Sequence, residues 1–353
     1  MGLPSVNISF KSVGITAIER GQKGVVLLIL RDTAAKVVEM LDVTDIPEGL
    51  TADNIGYIQR TFTGYITAPK KVIAVVVDAD TEMADALKTA ELYDFDYLCA
   101  PPTVTPDEVT AISSWIKSQR TNEYRKYKAV LPDCESDYEG VINCTTSEIQ
   151  TVTDEFTAAE YCSRIAGLIT GTPMTISATF APLPEVVDVH RLTKEEADAA
   201  NDAGQFILIH DGEKVKTGRA VNSFVTTTQD KGSQFSKIKI VECLDMINQD
   251  IRRTAEDSYI GKYANSYDNK LLLVSAIQGY FDQLEMDGLL EKGTSSIDID
   301  TEQQRIYLKS KGVDVTDMTD QQIRMAGTDD QVFLISHIQP LDAIEDITLR
   351  VFI

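Results

Sequence analysis

The sequence predicts a mainly parallel α/β domain followed by an α+β domain, with an extended arm at each end. From Gly24 onward, continuous apolar runs such as VVLLIL and KVIAVVV alternate with capped amphipathic stretches, the pattern of strands buried on both faces between helices. From about Gly204 the order changes to a hairpin signal and two long helical segments, while both ends carry short apolar alternations. The expected boundaries are an N-terminal arm over 1–20, the α/β domain over 21–203, the second domain over 204–340 and a C-terminal arm strand over 341–353.

In the first arm, SVNISF places Val6, Ile8 and Phe10 on one face of an extended segment. The α/β domain then reads as strand VVLLIL, helix TAAKVVEML, helix TADNIGYIQRTF and strand KVIAVVV. Helix TEMADALKTAELY, strand YLCAP, helix TPDEVTAISSWIKSQ and strand KAVLP follow. Helix starts are explicit: Thr105-Pro106-Asp107-Glu108 supplies a capping hydroxyl, an N1 proline and an N3 carboxylate, and Thr157 to Glu160 and Thr193 to Glu196 repeat the box. CSRIAGLITGTPMTISATFAPLPEVVDV runs from a helix through a glycine-proline break into extended chain.

In the second domain, Asp211-Gly212 sits between strand-like flanks and predicts a hairpin. KIKIV reads as a strand entering the helix that continues through DMINQDIRRTAEDSYIGKY, and NKLLLVSAIQGYFDQLEMDGLLEKG as a long helix ending in glycine. Tyr280 and Phe281 fall at helical spacing with Leu273, Ile277 and Leu284, which makes them a core stripe. The last nine residues, EDITLRVFI, alternate: Ile347, Leu349, Val351 and Ile353 point one way, Asp346, Thr348, Arg350 and Phe352 the other. Such a strand needs a partner for its backbone and for its apolar face, and that partner is expected in another chain.

Composition and motifs narrow the chemistry. With 353 residues, 43% hydrophobic and 25% charged, the chain is long enough for about two domains with proper cores. Lys and Arg total 33 against 55 Asp and Glu, and the formal net charge of -22 disfavours nucleic acid and anionic membrane as partners. Met1 is followed by neither a basic segment nor a long apolar one, so cytosolic synthesis is expected. Cys99, Cys134, Cys144, Cys162 and Cys243 lack C-x-x-C spacing and read as reduced core thiols.

No G-x-G-x-x-G, P-loop or G-x-S-x-G is present; Gly261-Lys262 lacks the flanking residues a P-loop needs. His190, His210 and His337 are scattered without metal-ligand spacing. Asp78, Asp80 and Glu82 resemble the start of a calcium loop, but they lead into a helix, where acids suit the macrodipole. No catalytic, cofactor or metal residues are assigned, and no cofactor is expected. Asp250, Arg252, Arg253 and Glu256 form a mixed-charge helical stretch suited to reading a charged partner. The alternative to a non-enzymatic protein is an α/β enzyme or ligand-binding protein, its site at the strand carboxyl ends near VVVDADTE or YLCAPPTVTPDE.

The C-terminal third carries a resemblance. Arg219, Asn222 and Ser223, the threonine run Thr226 to Thr228, DMINQDIR, the YIGKYAN bend and the long helix after it come in the order seen in contractile tail sheath proteins. The segment from Ala166 to Leu183 resembles that family's stretch between two domains, and the likeness is fullest over about 160–353. The short length resembles sheaths of Gram-positive prophage-like particles or R-type bacteriocins.

The resemblance implies a structural subunit that stacks as hexameric rings in a helical sheath around an inner tail tube protein. It implies contraction that drives the tube through a target envelope, with baseplate and terminator or collar proteins as further partners and no membrane binding by the subunit itself. The two arms would be strands lent to neighbours, and the Asp250–Glu256 stretch would face the tube. Assembly would take place in the bacterial cytoplasm, and the product would be a released phage tail-like particle or virion.

Overall fold

The computed structural model describes residues 18, 24–33 and 35–352; Val6, Ile8, Phe10 and Ile353 lie outside them. The chain forms two compact units: one holds residues 22–246 with 342–353, the other Ile247–Leu341. Residues 204–246, grouped by sequence with the second domain, fall in the first unit.

The first unit runs β1 (Val25–Arg31), β2 (Lys36–Met40), α1 (Ala52–Phe62), β3 (Lys71–Val77), α2 (Met83–Ala90), β4 (Tyr97–Cys99), α3 (Pro106–Thr121), β5 (Lys128–Pro132) and β6 (Val141–Cys144). It continues with β7 (Ile149–Thr151), β8 (Glu155–Phe156), α4 (Ala158–Thr170), β9 (Val186–Asp188), α5 (Lys194–Asp202), β10 (Gln205–Phe206), β11 (Leu208–His210), β12 (Val215–Thr217) and the start of α6 (Ile238–Thr254). Seven strands form one sheet in the order β10-β6-β5-β4-β1-β3-β2, parallel except for β2. β1 matches β3 along its whole length, from Val25↔Lys71 to Arg31↔Val77.

Alternation in β1 divides the core. Val26, Leu28 and Leu30 join a cluster with Tyr57 and Ile58 of α1 and Ile165, Ala166 and Ile169 of α4. Leu27 and Ile29 join Met83 and Leu87 of α2 and Ile112 and Ile116 of α3 on the opposite face. The three layers follow from strands that are apolar on both sides. α4 lies so close to α1 that a Cβ on Gly167 would sit 2.0 Å from the Thr61 carbonyl oxygen, which is why this buried helix carries a glycine.

Two assignments from sequence are corrected. TAAKVVEML is not a helix: Lys36–Met40 is the antiparallel edge strand β2, in register from Lys36↔Val76 to Met40↔Val72. Its apolar positions suit either period, and the β-branched pair Val37-Val38 packs well on a pleated surface. Glu39 pairs with Lys71 at 2.9 Å, placing charge on the edge. KIKIV is likewise not a strand, since α6 begins at Ile238. Residues 238–243 are all buried, so solvent imposes no helical period on them.

The capping boxes form at Thr105/Glu108, Thr157/Glu160 and Thr193/Glu196. The Asp211-Gly212 turn joins β11 and β12 in an antiparallel pair, with Gly212 at φ +103. β7 pairs with β8 and β9 in a separate three-stranded sheet. The second unit holds α7 (Tyr267–Met286), β13 (Ser296–Ile299), α8 (Thr301–Ser310), α9 (Asp320–Met325) and β14 (Leu334–His337). Ile277, Tyr280, Phe281 and Leu284 of α7 are buried, while Leu273, placed in the same stripe, is half-buried.

A buried ion network seats the start of α6 in the first unit. Arg120 donates to both Asp245 oxygens at 2.8 and 2.9 Å, and Lys128 lies 3.3 Å from the same carboxylate. Burial pushes the Asp245 carboxyl up, but Arg120 and Lys128 outweigh it and hold the group below the usual carboxylate range. Tyr97 of β4 donates its hydroxyl to Glu242 one turn earlier.

A folded-state depression of this kind adds stability above the unfolded carboxylate range, about pH 4, and loses it as pH falls toward the folded value. Asp245→Asn is expected to lower stability by about 3–5 kcal/mol at neutral pH, because Arg120 stays buried without its charge partner. It also flattens the decline of stability below about pH 4. Urea unfolding of both proteins across the acid range measures both effects.

Candidate functional site

The C-terminal segment, grouped with the first unit, runs without secondary structure over 342–352. Asp342, Glu345 and Asp346 engage basic side chains of that unit. Beyond them Ile347, Leu349, Val351 and Phe352 are 83%, 80%, 74% and 92% exposed. No strand of the described chain pairs with this segment. Four large apolar side chains within six residues are thus exposed together.

The second unit contains a small separate sheet. β13 and β14 pair only with each other, antiparallel from Ser296↔His337 to Ile299↔Leu334. A two-stranded sheet is marginal by itself, and each strand here keeps one edge without a strand partner among the described residues. Ile335, at the centre of β14, is 45% exposed. Backbone edges and a partly uncovered apolar side chain are what an added strand uses.

The charged helical stretch does not present one surface. Asp250 is buried and accepts a hydrogen bond from the Tyr280 hydroxyl at 2.7 Å, so it serves the interior of the second unit. Arg252 pairs with Glu256 one turn on at 2.7 Å, both partly exposed, and Arg253 is exposed. A burial pattern such as DMINQD offers no signal that separates an interior Asp from a surface one; the tyrosine thirty residues away decides it.

The strand carboxyl ends hold structural chemistry. Between the loops after β1 and β4 lies a cavity of about 410 Å³ lined by Arg31, Thr51, Asn54, Arg60, Pro101 and Pro102, among others. The adjacent Asp32 carboxylate accepts from the Thr51 amide at 2.8 Å and the Asn54 side chain at 2.8 Å. It also accepts from the Thr33 amide at 2.8 Å and the Thr51 hydroxyl at 3.1 Å. These donors, the Thr51 amide first, hold the carboxyl far below its usual range. Its lone pairs are occupied in tying the end of β1 to the start of α1. Among the described residues no three His, Cys, Asp or Glu side chains converge to hold a metal ion, and the five cysteines are buried thiols.

Comparison with known proteins bears on the chain as a whole. The family model for the phage tail sheath protein central domain matches residues 79–223, and that for the phage tail sheath C-terminal domain matches 230–353. A tail sheath protein of Clostridium phage phiCD119 is 37% identical over 355 aligned residues, 99% of each chain. The phage-like element PBSX protein XkdK of Bacillus subtilis is 30% identical over 177 residues, 49% of this chain and 38% of its own.

Among solved structures, a sheath tail protein from Desulfitobacterium hafniense aligns with a TM-score of 0.72 at 18% identity, covering 96% of this chain and all (100%) of that one. The contracted helical sheath of the anti-feeding prophage aligns with a TM-score of 0.74 at 14% identity, covering 100% and 99%. At these identities the likeness is one of fold.

Because the Tyr280 hydroxyl serves a buried carboxylate, Tyr280→Phe is expected to lower subunit stability by about 1.5–3 kcal/mol. Arg253→Ala, at an exposed position where any ion pair is solvent-screened, is expected to cost about 1 kcal/mol or less. Chemical denaturation of the two variants separates the interior role of Asp250 from the surface role of Arg253.

Proposed function

The chain belongs to the phage tail sheath protein family, and from that premise we propose that it is the structural subunit of a contractile sheath. Copies stack as hexameric rings around an inner tail tube, and each lends its C-terminal strand to the β13–β14 sheet of a neighbour. The observation that carries this reading is the alternating, exposed segment Ile347–Phe352, which has no strand partner in the described chain. The two-stranded sheet with open edges supplies the matching acceptor. The work done is mechanical, arising from contacts that differ between two arrangements of the same subunits.

The magnitudes favour a polymer over a dimer. Covering Ile347, Leu349 and Val351 contributes about 5–9 kcal/mol, whereas fixing the six residues from 347 to 352 costs about 6–12 kcal/mol. Hydrogen bonds along the added strand contribute about 0.5–1.5 kcal/mol each. One lent strand is therefore near balance, and stability comes from several such contacts per subunit acting together. Growth from a nucleus is the consequence, with baseplate proteins supplying the first ring and terminator or collar proteins the last. Synthesis in a bacterial cytoplasm and release within a phage tail-like particle accompany this assignment. Arg252, Arg253 and Glu256 are the part of the charged helix available for tube contact, since a surface that must let go on contraction suits charge better than a dry apolar patch.

Deleting Ile347–Ile353 is expected to leave a folded subunit that forms no sheath on tubes. Leu349→Asp is expected to do the same without shortening the chain, because burying an unpaired carboxylate costs several kcal/mol at every repeat of the interface. Electron microscopy beside circular dichroism is the measurement. Sheaths of ordinary length from either variant would overturn the strand-lending assignment. Reversing the charge of both Arg252 and Arg253 is expected to release extended sheath from its tube, and undisturbed particles would remove this helix from the interface.

A further inference from the structure

We propose that Arg219 and Lys237, with Ser177 and Thr179, form a latch that fixes the root of the C-terminal extension. By doing so they set the direction in which Ile347–Phe352 is offered to a neighbouring copy. The inference rests on the strand-lending reading above, and assigns positioning residues that the reading itself does not require.

Three acids within residues 342–346 meet this seat. The Glu345 carboxylate accepts from the Thr179 hydroxyl at 2.6 Å and the Ser177 hydroxyl at 3.3 Å. It also lies 3.4 Å from the Lys237 ammonium and 3.5 Å from the Arg219 guanidinium. Its side chain is only 7% exposed. Asp346 places both oxygens on one Arg219 nitrogen, at 2.9 and 3.0 Å, and Asp342 pairs with Lys237. A carboxylate withdrawn from water is strongly unfavourable unless charge and hydrogen bonds replace the lost solvent. Two cations and two hydroxyls do so here.

The receiving side is itself rigid. The Ala220 amide donates to the Thr179 hydroxyl at 3.0 Å, the Thr217 amide to the Ala181 carbonyl at 2.9 Å and the Ile238 amide to the Ala220 carbonyl at 3.2 Å. Three chain segments are thereby joined beneath the extension, and Thr217 at their centre is fully buried. The seat grips acids alone: Ile344, in the middle of the latched stretch, is 88% exposed, as are the apolar residues beyond it to a similar degree. A root held by charge leaves the apolar face free for a second copy. It also narrows the volume the strand samples, which raises its effective concentration at a neighbour and reduces the ordering that docking requires.

The test uses Arg219→Met/Lys237→Met, which keeps the stems and removes both charges, and Glu345→Gln, which keeps the shape; the second carries the test alone if the first does not fold. In free subunits of unchanged circular dichroism, the backbone order parameters of residues 343–346, read by NMR relaxation, are expected to fall from about 0.85 to below about 0.6. On tubes, the amount of sheath formed is expected to fall about tenfold at fixed subunit concentration, with Arg219→Lys restoring part of it. Unchanged order parameters would show that the seat does not hold the root. Lower order parameters with normal assembly would show that holding it is irrelevant, while the strand-lending reading stands. Deletion of Ile347–Ile353, run alongside, must abolish assembly; if that variant assembles, the strand-lending reading fails and the latch has nothing to aim.

Discussion

Asp245 is a charge almost wholly withdrawn from water, and the seating of α6 in the first unit depends on keeping it satisfied. Its carboxylate takes both arms of Arg120, from α3, and the ammonium of Lys128, from β5. Neither basic side chain has more than 4% exposure, so each side of the pair needs the other. Fixing Asp245 fixes the first turns of α6 against the sheet. Those turns begin one residue after Lys237, the cation that holds Asp342 and Glu345. A buried ion pair and an exposed terminal strand are thus linked through one helix start.

The same unit combines opposite surface properties. Its sheet is covered on both faces, and the edge strand β2 is blunted by Glu39 and Lys71, devices that keep a β-rich body from sticking to its copies. A formal net charge of -22 on the whole chain adds general repulsion between subunits. Against that background the uncovered run of Ile347, Leu349, Val351 and Phe352 stands out; on the proposed reading it would make association selective, since association would be favoured only where a strand can be received.

What the sequence discloses tracks the range of the interactions involved. Parallel strands are legible because burial on both faces leaves continuous apolar runs, and helix starts because a cap is decided within four residues, as at Thr105 and Glu108. Segments of ambiguous period are not: Lys36–Met40 and Ile238–Val241 have patterns that fit a helix or a strand, and tertiary neighbours choose. Charges are least legible of all. Asp250 reads as surface until Tyr280 is placed over it, and Arg219 carries a family-like motif without revealing that Asp346, 127 residues away, is its partner. The apolar alternation of the last residues is visible; the seat from which it departs is visible only in three dimensions.

Strand exchange also changes what counts as a stable unit. The β13–β14 pair has too few strands to be stable by its own hydrogen bonds and leans on α7 in the second unit. On the proposed reading each subunit completes a neighbour's sheet and has its own completed in turn, so the free energy of folding the last elements is released only on assembly. The polymer then holds contacts that no single chain can form, and a ring cannot shed one subunit without uncovering strands in others. On the same reading, continuity of the backbone through the charged root would let the body move while the lent strand stays docked. A sheath linked in this way can change the packing of its bodies without first coming apart.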